Sequence, residues 1–320
     1  MNLDATSRSA VGFVGLGRMG QGMAANLLAG GVDLCVFDTV AAAMEPLQAK
    51  GARAARSVAD LAAQCDLIFT SLPGPPEVEA VVLGENGIAR TMRPGTTLLE
   101  LSTSARALAL RIDETFRGKG CTYMDAPVSG GPAGARSGDL VLWIGGERAE
   151  VDRLAPVLKT FCIPHHVGPV GSGIVTKLAH NLLGYMLLEA QAEVFSLAVK
   201  AGLDPLDFWS AIRLGVVGKQ PAINMLTQQF LPYDFGNAAF AQRLGLKDVR
   251  LGLEMADELG VPMRLAQATR EDMEAVVARG EGEGDSRSFM QIQIERAGVK
   301  IGVPRERIAE ALRRAPPSRP

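Results

Sequence analysis

The sequence predicts an α/β chain that changes character partway along. A doubly wound, mostly parallel sheet is expected over residues 1–170, an interdomain helix over 171–202, and an all-helical domain over 203–320. Three observations carry this. Up to about Gly168, short apolar runs alternate with helical stretches, as in a sheet wound with crossover helices. Beyond Gly202 only helical patterns follow. Between them lies GSGIVTKLAHNLLGYMLLEAQAEVFSLAVKAG, free of proline, rich in Leu, Ala, Val and Met, and bracketed by glycines. It is apolar on nearly every side, so burial is expected.

The totals bound the answer. With 320 residues there is room for two domains and a large core. Lys and Arg number 33 against 35 Asp and Glu, which gives no footprint for nucleic acid or an acidic membrane. Cys35, Cys65, Cys121 and Cys162 form no CxxC pair and read as reduced core residues of a cytoplasmic protein. The opening MNLDATSRSA lacks the basic-then-apolar order of a signal peptide. No apolar run approaches the ~20 residues that span a bilayer. Residues 1–9 and 315–320 read as loose tails.

The first strand is expected over residues 11–15. Gly15-Leu16-Gly17-Arg18-Met19-Gly20 follows, then a helix over 21–29 and a second apolar run over 32–37 that ends at Asp38. This is the order of a dinucleotide fingerprint, with an acid about 20 residues after the glycines. Gly15 would make the tight turn, Gly17 would let a pyrophosphate approach the backbone, and Gly20 would let helix pack on strand. The helix N-terminus would face the phosphates. Asp38 would accept hydrogen bonds from the ribose hydroxyls and repel a 2′-phosphate, favouring NAD over NADP. The alternative role for Asp38 is a cap on a helix starting near Ala41. Arg53 and Arg56 stand downstream as candidate partners for a phosphate.

The alternation continues with a strand over 66–72, a rigid proline loop over 73–76, a helix over 77–83, a strand over 96–101, and a helix ending near Arg117. Ligands of such sheets bind beyond the carboxyl ends of the strands. The 72–76 loop, with Leu72 and Pro73, and Ser102-Thr103-Ser104 should therefore line the cofactor site. Their alternative roles are a helix stop and an N-cap. A strand over 121–124 leads into Asp125-Ala-Pro-Val-Ser-Gly-Gly131. Consecutive amides at Ser129, Gly130 and Gly131 can nest a carboxylate, or the segment is a flexible turn. A strand over 139–145 and a helix over 147–159 follow. His165 and His166 are adjacent on a strand and face opposite ways, which argues against a shared metal or catalytic role.

Within the long helix stand three polar residues that a core helix does not need: Lys177, His180 and Asn181. Lys177 and Asn181 are four apart and share a face. Helices are expected beyond it over 205–213, 220–228, 240–259 and 262–278, with a last one ending near Arg314. Lys247-Asp248 lies among apolar neighbours, either as a solvated pair or as part of a site. Residues 280–288 (GEGEGDSRS) read as a surface connector.

Four blocks in this order resemble the β-hydroxyacid dehydrogenase family, which includes 3-hydroxyisobutyrate dehydrogenase, tartronate semialdehyde reductase and, more distantly, 6-phosphogluconate dehydrogenase. They are GFVGLGRMGQGMAANLLAGG, DAPVSGG, GSGIVTKLAHN and FAQRLGLKDVRLGLEMADELGVP, and the likeness spans about residues 11–298. The resemblance implies a Rossmann-type domain and NAD(P)-linked hydride transfer at the β-hydroxyl of a small β-hydroxy acid of 3-hydroxyisobutyrate or tartronate semialdehyde type. It implies that Lys177 is the catalytic general acid and base and that Asn181 is its amide partner. Ser129, Gly130 and Gly131 would hold the substrate carboxylate, Ser102 or Thr103 would sit near nicotinamide and substrate, and Lys247 would line the site from the helical domain. Cofactor contacts would come from Gly15, Leu16, Gly17, Arg18, Met19, Gly20, Asp38, Leu72, Pro73 and Lys247. Association into a homodimer or homotetramer through the helical half is also implied. Three positions depart from the pattern. His180 replaces the first of two asparagines. Gly184 stands where the 6-phosphogluconate branch carries a glutamate, which argues against decarboxylation. Arg287 stands where a second acid is common, and either alters substrate choice or is a surface substitution. Two rival readings share the architecture: an imine reductase, which usually lacks this lysine, and a dinucleotide-binding protein without catalysis.

Overall fold

In the computed structural model, residues 10–215, 225–258, 260 and 263–314 are described. The chain divides after Leu178 into two compact units. The division falls inside one continuous helix, Ser172–Lys200.

The first unit is built from β1 (Ala10–Val14), α1 (Gly20–Ala29), β2 (Leu34–Phe37), α2 (Glu45–Gln48), β3 (Arg53–Ala54), α3 (Val58–Gln64), β4 (Cys65–Thr70), α4 (Pro75–Leu83), α5 (Ile88–Thr91) and β5 (Thr97–Glu100). It continues with α6 (Arg106–Arg117), β6 (Thr122–Asp125), β7 (Val128–Ser129), α7 (Gly131–Ser137), β8 (Leu140–Gly145), α8 (Arg148–Leu158) and β9 (Cys162–Gly168). The strands form one sheet in the order β3-β2-β1-β4-β5-β6-β8-β7, with β9 pairing β8. From β3 to β6 every pairing is parallel; β8 runs antiparallel to β6 and β7, and β9 runs parallel to β8. The winding reverses at β1, with β2 on one side and β4 on the other, which places a ligand crevice at the carboxyl end of β1.

Apolar β-branched and aromatic residues make these strands, and both faces are covered by helices, so their sequences read as near-continuous apolar runs. Phe13, Phe69 and Phe161 meet at the core, with ring centroids 6.1 and 5.6 Å apart. All four cysteines are buried free thiols. Cys35 on β2 lies opposite Gly12 of β1, and Cys65 lies opposite Ala10 on the other side of that strand. A Cβ on Gly12 would stand 3.2 Å from the Cys65 sulfur. The neighbouring Cys65 thiol lowers the pKa of Cys35, and the Cys35 thiol together with burial raises that of Cys65.

The expected strands and helices recur within a few residues, and the differences have local causes. Strand β3 is only two exposed residues, too short to show periodicity. Helix α3 opens at Ser57, whose hydroxyl accepts from the Asp60 amide at 3.0 Å, a capping signal that sequence reading passed over. Pro75 opens α4 at its first position instead of standing before it as a loop residue. Residues 131–137 form a helix of which the glycine-rich sequence shows no sign.

The second unit takes the rest of the long helix, α9 (Ser172–Lys200), then α10 (Pro205–Ile212), α11 (Gln242–Glu258), α12 (Arg264–Ala278), α13 (Met290–Ala297) and α14 (Arg305–Arg314). Phe195 centres its core, with ring centroids 5.0 Å from Phe208 and 5.4 Å from Phe230, and Trp209 is fully buried beside them. Helix α13 was not expected. In the helix expected over 220–228, residues 220–224 lie outside the described residues, and Met225–Thr227 form a short 3₁₀ turn. The two expected tails also lie outside them. Helix α9 is not buried all round: His180, Leu183, Gly184 and Leu187 are exposed. Its uniformly apolar composition therefore overstated burial. Among the described residues no helix is long and apolar enough to cross a membrane.

Truncating the aromatic centre tests the first unit's packing. Phe69→Ala should lower the unfolding free energy by about 3–5 kcal/mol in a urea titration.

Candidate active site

The glycine loop separates into residues the chain needs and one it does not. Gly15 turns at φ +92°, and a Cβ there would lie 2.2 Å from the Ser71 carbonyl oxygen. A Cβ on Gly20 would lie 1.9 Å from the Gly15 carbonyl oxygen, so helix and loop could not close. A Cβ on Gly17 would meet nothing within 4 Å. The fold alone therefore does not require glycine at that position, whereas a ligand against the backbone would. Helix α1 starts without a side-chain cap, leaving its N-terminal partial charge available to an anion. Leu16 is buried and Met19 packs against the core, while Arg18 is exposed.

Asp38 fixes this loop. One carboxylate oxygen accepts from the Leu16 amide at 2.6 Å and the other from the Val40 amide at 2.8 Å. The short helical turn Ala41–Ala43 receives no side-chain cap, so the capping role does not hold. These residues fit a nicotinamide dinucleotide: an open backbone cradle at Gly17, an uncapped helix and an acid at the end of β2.

At the next two strand ends, the Ser102 hydroxyl oxygen accepts from the Leu72 amide at 2.8 Å, and the Ser102 amide donates to Glu100 Oε1 at 2.8 Å. Ser102 is 5% exposed, so it braces the two loops against each other. Thr103 is half-buried and Pro73 is exposed. The serines do not cap α6, whose N-cap is Ala105.

Beyond β6, Ser129 pairs with Val141, and the chain passes through Gly130 at φ +131° and Gly131 at φ +61° before α7 begins. This is an ordered strand-to-helix junction, not a flexible turn. Nothing lies within 4 Å of a Cβ on Gly131, so its backbone faces open space.

Asp125, at the head of this segment, is the residue that sequence reading missed. It is fully buried. Its Oδ1 accepts from the Gly171 amide at 2.6 Å and its Oδ2 from the Ile174 amide at 2.7 Å, satisfying orphan donors at the start of α9. Gly145 and Gly173 make room: a Cβ on the first would stand 2.4 Å from Asp125 Oδ1, and one on the second 2.6 Å from the Asp125 carbonyl oxygen. Burial raises the carboxyl pKa to about 7, against the opposing pull of those amides. Lys177 follows Ile174 by three residues and is half-buried. The available sequence signal was an acid closing an apolar strand with no cation near it in the chain.

In the second unit one acid gathers the polar residues. Asp248, 2% exposed, accepts from Asn181 Nδ2 at 2.7 Å through Oδ2, and its Oδ1 lies 3.0 Å from Lys247 Nζ. His180 Nδ1 lies 3.2 Å from Asn181 Oδ1. Burial pushes the phenol pKa of Tyr185, one turn beyond Asn181, well up. The 280–288 segment is exposed at Gly280, Glu281 and Glu283 and turns inward at Asp285, which leaves Arg287 half-buried. Its side chain is 17% exposed and its Nη1 lies 3.4 Å from Oδ1 of the fully buried Asp285. Backbone bonds from Asp285 to Phe235 and from Ser286 to Phe240, both 2.8 Å, pin that segment inward.

A parallel sheet carrying this glycine loop at its switch point defines a Rossmann-type dinucleotide-binding oxidoreductase. Residues 10–168 match the family described as the NAD binding domain of 6-phosphogluconate dehydrogenase. Residues 171–292 match that described as NAD-binding of NADP-dependent 3-hydroxyisobutyrate dehydrogenase. The chain is 33% identical over 292 residues to 2-(hydroxymethyl)glutarate dehydrogenase of Eubacterium barkeri, covering 91% of this chain and 97% of that one. It is 33% identical over 290 residues to 3-hydroxyisobutyrate dehydrogenase of Pseudomonas aeruginosa, covering 88% and 97%. Among solved structures, 3-hydroxyisobutyrate dehydrogenase of Mycobacterium tuberculosis with L-serine superposes with a TM-score of 0.80 at 27% identity, covering 89% of this chain and 98% of that one. The chain belongs to the β-hydroxyacid dehydrogenase family.

The glycines separate folding from binding. Gly17→Ala should leave the unfolding free energy within about 0.5 kcal/mol of wild type while weakening dinucleotide binding at least tenfold in a fluorescence titration. Gly20→Ala should lose about 1–3 kcal/mol of stability through overpacking. Asp125 gives a pH dependence of stability. Its folded pKa is raised, so between about pH 4 and 7 the folded state binds more protons than the unfolded state. Its stabilising contribution is complete below the unfolded pKa and is lost as pH rises through 7. Urea midpoints of wild type should therefore fall between pH 5 and pH 8 more steeply than those of Asp125→Asn.

Proposed function

We propose that this enzyme interconverts the β-hydroxyl and carbonyl forms of a small β-hydroxy acid with NAD as the preferred dinucleotide. The observation that carries the reading is the common anchoring of the carboxylate loop and the lysine helix at the end of β6. The relatives are named for 3-hydroxyisobutyrate and 2-(hydroxymethyl)glutarate, and the solved structure contains L-serine. Each of these is a propanoate with a hydroxyl at carbon 3 and a substituent at carbon 2, and that pattern is the expected substrate class.

The dinucleotide supplies the hydride acceptor or donor. It would be held by residues 15–20, Asp38, Leu72 and Pro73, with a further contact from Lys247. The amides of Ser129, Gly130 and Gly131 receive the substrate carboxylate, and Thr103 faces the reacting end with Ser102 behind it. Lys177 in its neutral form takes the hydroxyl proton in oxidation. In reduction its ammonium polarises the carbonyl and returns the proton. Asn181, held by Asp248, orients the hydroxyl end.

NAD preference is supported by the lone acid at the end of β2 and by the engagement of the downstream arginines. Arg53 Nε lies 3.5 Å from Asp33 and Arg56 Nε 3.5 Å from Asp60. Exposed Leu183 and Leu187, four residues apart on α9, suit association into a homodimer or homotetramer.

Turnover of 3-hydroxyisobutyrate, glycerate, 4-hydroxybutyrate, serine and 2-(hydroxymethyl)glutarate with each dinucleotide tests the reading. NAD should exceed NADP at least tenfold in kcat/KM. Lys177→Met should cut kcat by about 10²–10⁴ with dinucleotide affinity nearly unchanged. Substantial turnover by that variant would remove Lys177 from its role.

A further inference from the structure

The carboxylate of Asp125 occupies a place that neither substrate chemistry nor bulk packing explains. It closes β6 and heads the segment that reaches Ser129 after four residues. It is fully buried, and its two oxygens accept from the Gly171 and Ile174 amides at 2.6 and 2.7 Å. The first turn of α9 thus rests on a side chain from the strand that delivers the carboxylate loop. Lys177 is one turn further along the same helix, and four residues advance a helix by about 6 Å.

The surroundings admit this acid closely. The Cα of Gly145 leaves no space for a Cβ beside Oδ1, at 2.4 Å. A Cβ on Gly173 would stand 2.4 Å from the Trp143 carbonyl oxygen and 2.6 Å from that of Asp125. Helix and strand therefore meet backbone to backbone, with the carboxylate in the seam. A one-carbon extension or a change of side-chain geometry would move the start of the helix.

We infer that Asp125 is a positioning residue for the reaction: through the Gly171 and Ile174 amides it sets the height and rotation of the Lys177 side chain relative to the carboxylate loop. The inference rests on Lys177 being the proton-transfer group. With both oxygens ionised and accepting, both amides are held. Protonation converts one oxygen into a hydroxyl, which competes as a donor with the amide it faces. The elements packed around the seam carry other ionisable groups. Glu100 of β5 is the register neighbour of Asp125, and Tyr123 lies two residues before it on β6, with its phenol pKa raised by burial first and then by Glu100 and Asp125. Arg106 of α6 lies against Gly171, and His166 of β9 contacts the Gly146 carbonyl at 2.9 Å. Over the first two turns of α9, residues 172–179, the ionisable group is Lys177 itself, with His180 following. Burial pushes the Asp125 carboxyl up to about 7, so the anchor changes state near neutral pH.

The test is a pH series on Asp125→Asn and Asp125→Glu beside wild type and Lys177→Met, using the full chain with NAD and the best substrate of the panel. Dinucleotide affinity and the thermal midpoint are followed in parallel. Asp125→Asn should lose at least tenfold in kcat, with the dinucleotide Kd and the substrate KM within threefold of wild type. Its kcat profile should lose the limb near neutral pH. Asp125→Glu, too long for the seam, should not restore the rate. If Asp125→Asn keeps the wild-type rate and profile while Lys177→Met is inactive, the positioning role is wrong and the lysine assignment stands. If kcat, KM and Kd all worsen in step with a lowered thermal midpoint, Asp125 is structural only and the inference falls. If Lys177→Met remains active, the lysine assignment fails first, independently of Asp125.

Discussion

A buried carboxylate costs free energy unless its lone pairs are met, and a helix start is unstable unless its amides are met. Asp125 meets the second requirement and offsets part of the first with two hydrogen bonds. It sits at the end of a central strand and accepts from the first turn of α9 at 2.6 and 2.7 Å. Everything proposed for catalysis in the first unit depends on that joint. The loop it heads carries the amides of Ser129, Gly130 and Gly131, and the helix it caps carries Lys177. Its neighbours are glycines because no side chain fits where backbone approaches backbone.

A second acid plays a related part in the helical unit. Asp248 is buried and holds Asn181 on one oxygen and Lys247 on the other. Charge on the carboxylate is met by an ammonium at ion-pair distance on one oxygen and an amide donor on the other. Asp285 repeats the pattern with Arg287. Acids of ordinary appearance in the sequence thus set the geometry of the more conspicuous cations and amides.

Much of the fold was legible because its signals are local. The β1 to α1 fingerprint, the strand alternation and the proline-free helix each follow from neighbouring residues, and they recur within a few positions. Elements that lack periodicity, such as β3 at two residues and α7 among glycines, gave no such signal. For the candidate site, the chain offered residue types without their partners. Asn181 binds Asp248, 67 positions away, and Ser102 braces Leu72, 30 positions away. Arg287 read as a possible surface change because its charge suggested solvent, whereas a buried aspartate two positions back draws it inward. Long-range pairing between polar groups has no period in the chain, so only the folded arrangement reveals it.

The thiols of Cys35 and Cys65 illustrate a different kind of constraint. Each shifts the pKa of the other, yet β1 lies between the strands that carry them. Adjacent strands are about 4.8 Å apart, which sets their backbones roughly 10 Å apart, beyond the ~7 Å that a disulfide can bridge. The intervening strand, opened at Gly12, acts as an insulating spacer. It allows polarisable sulfur to fill the core while denying the pair a covalent product, so an oxidant meets two separate thiols instead of a latent crosslink.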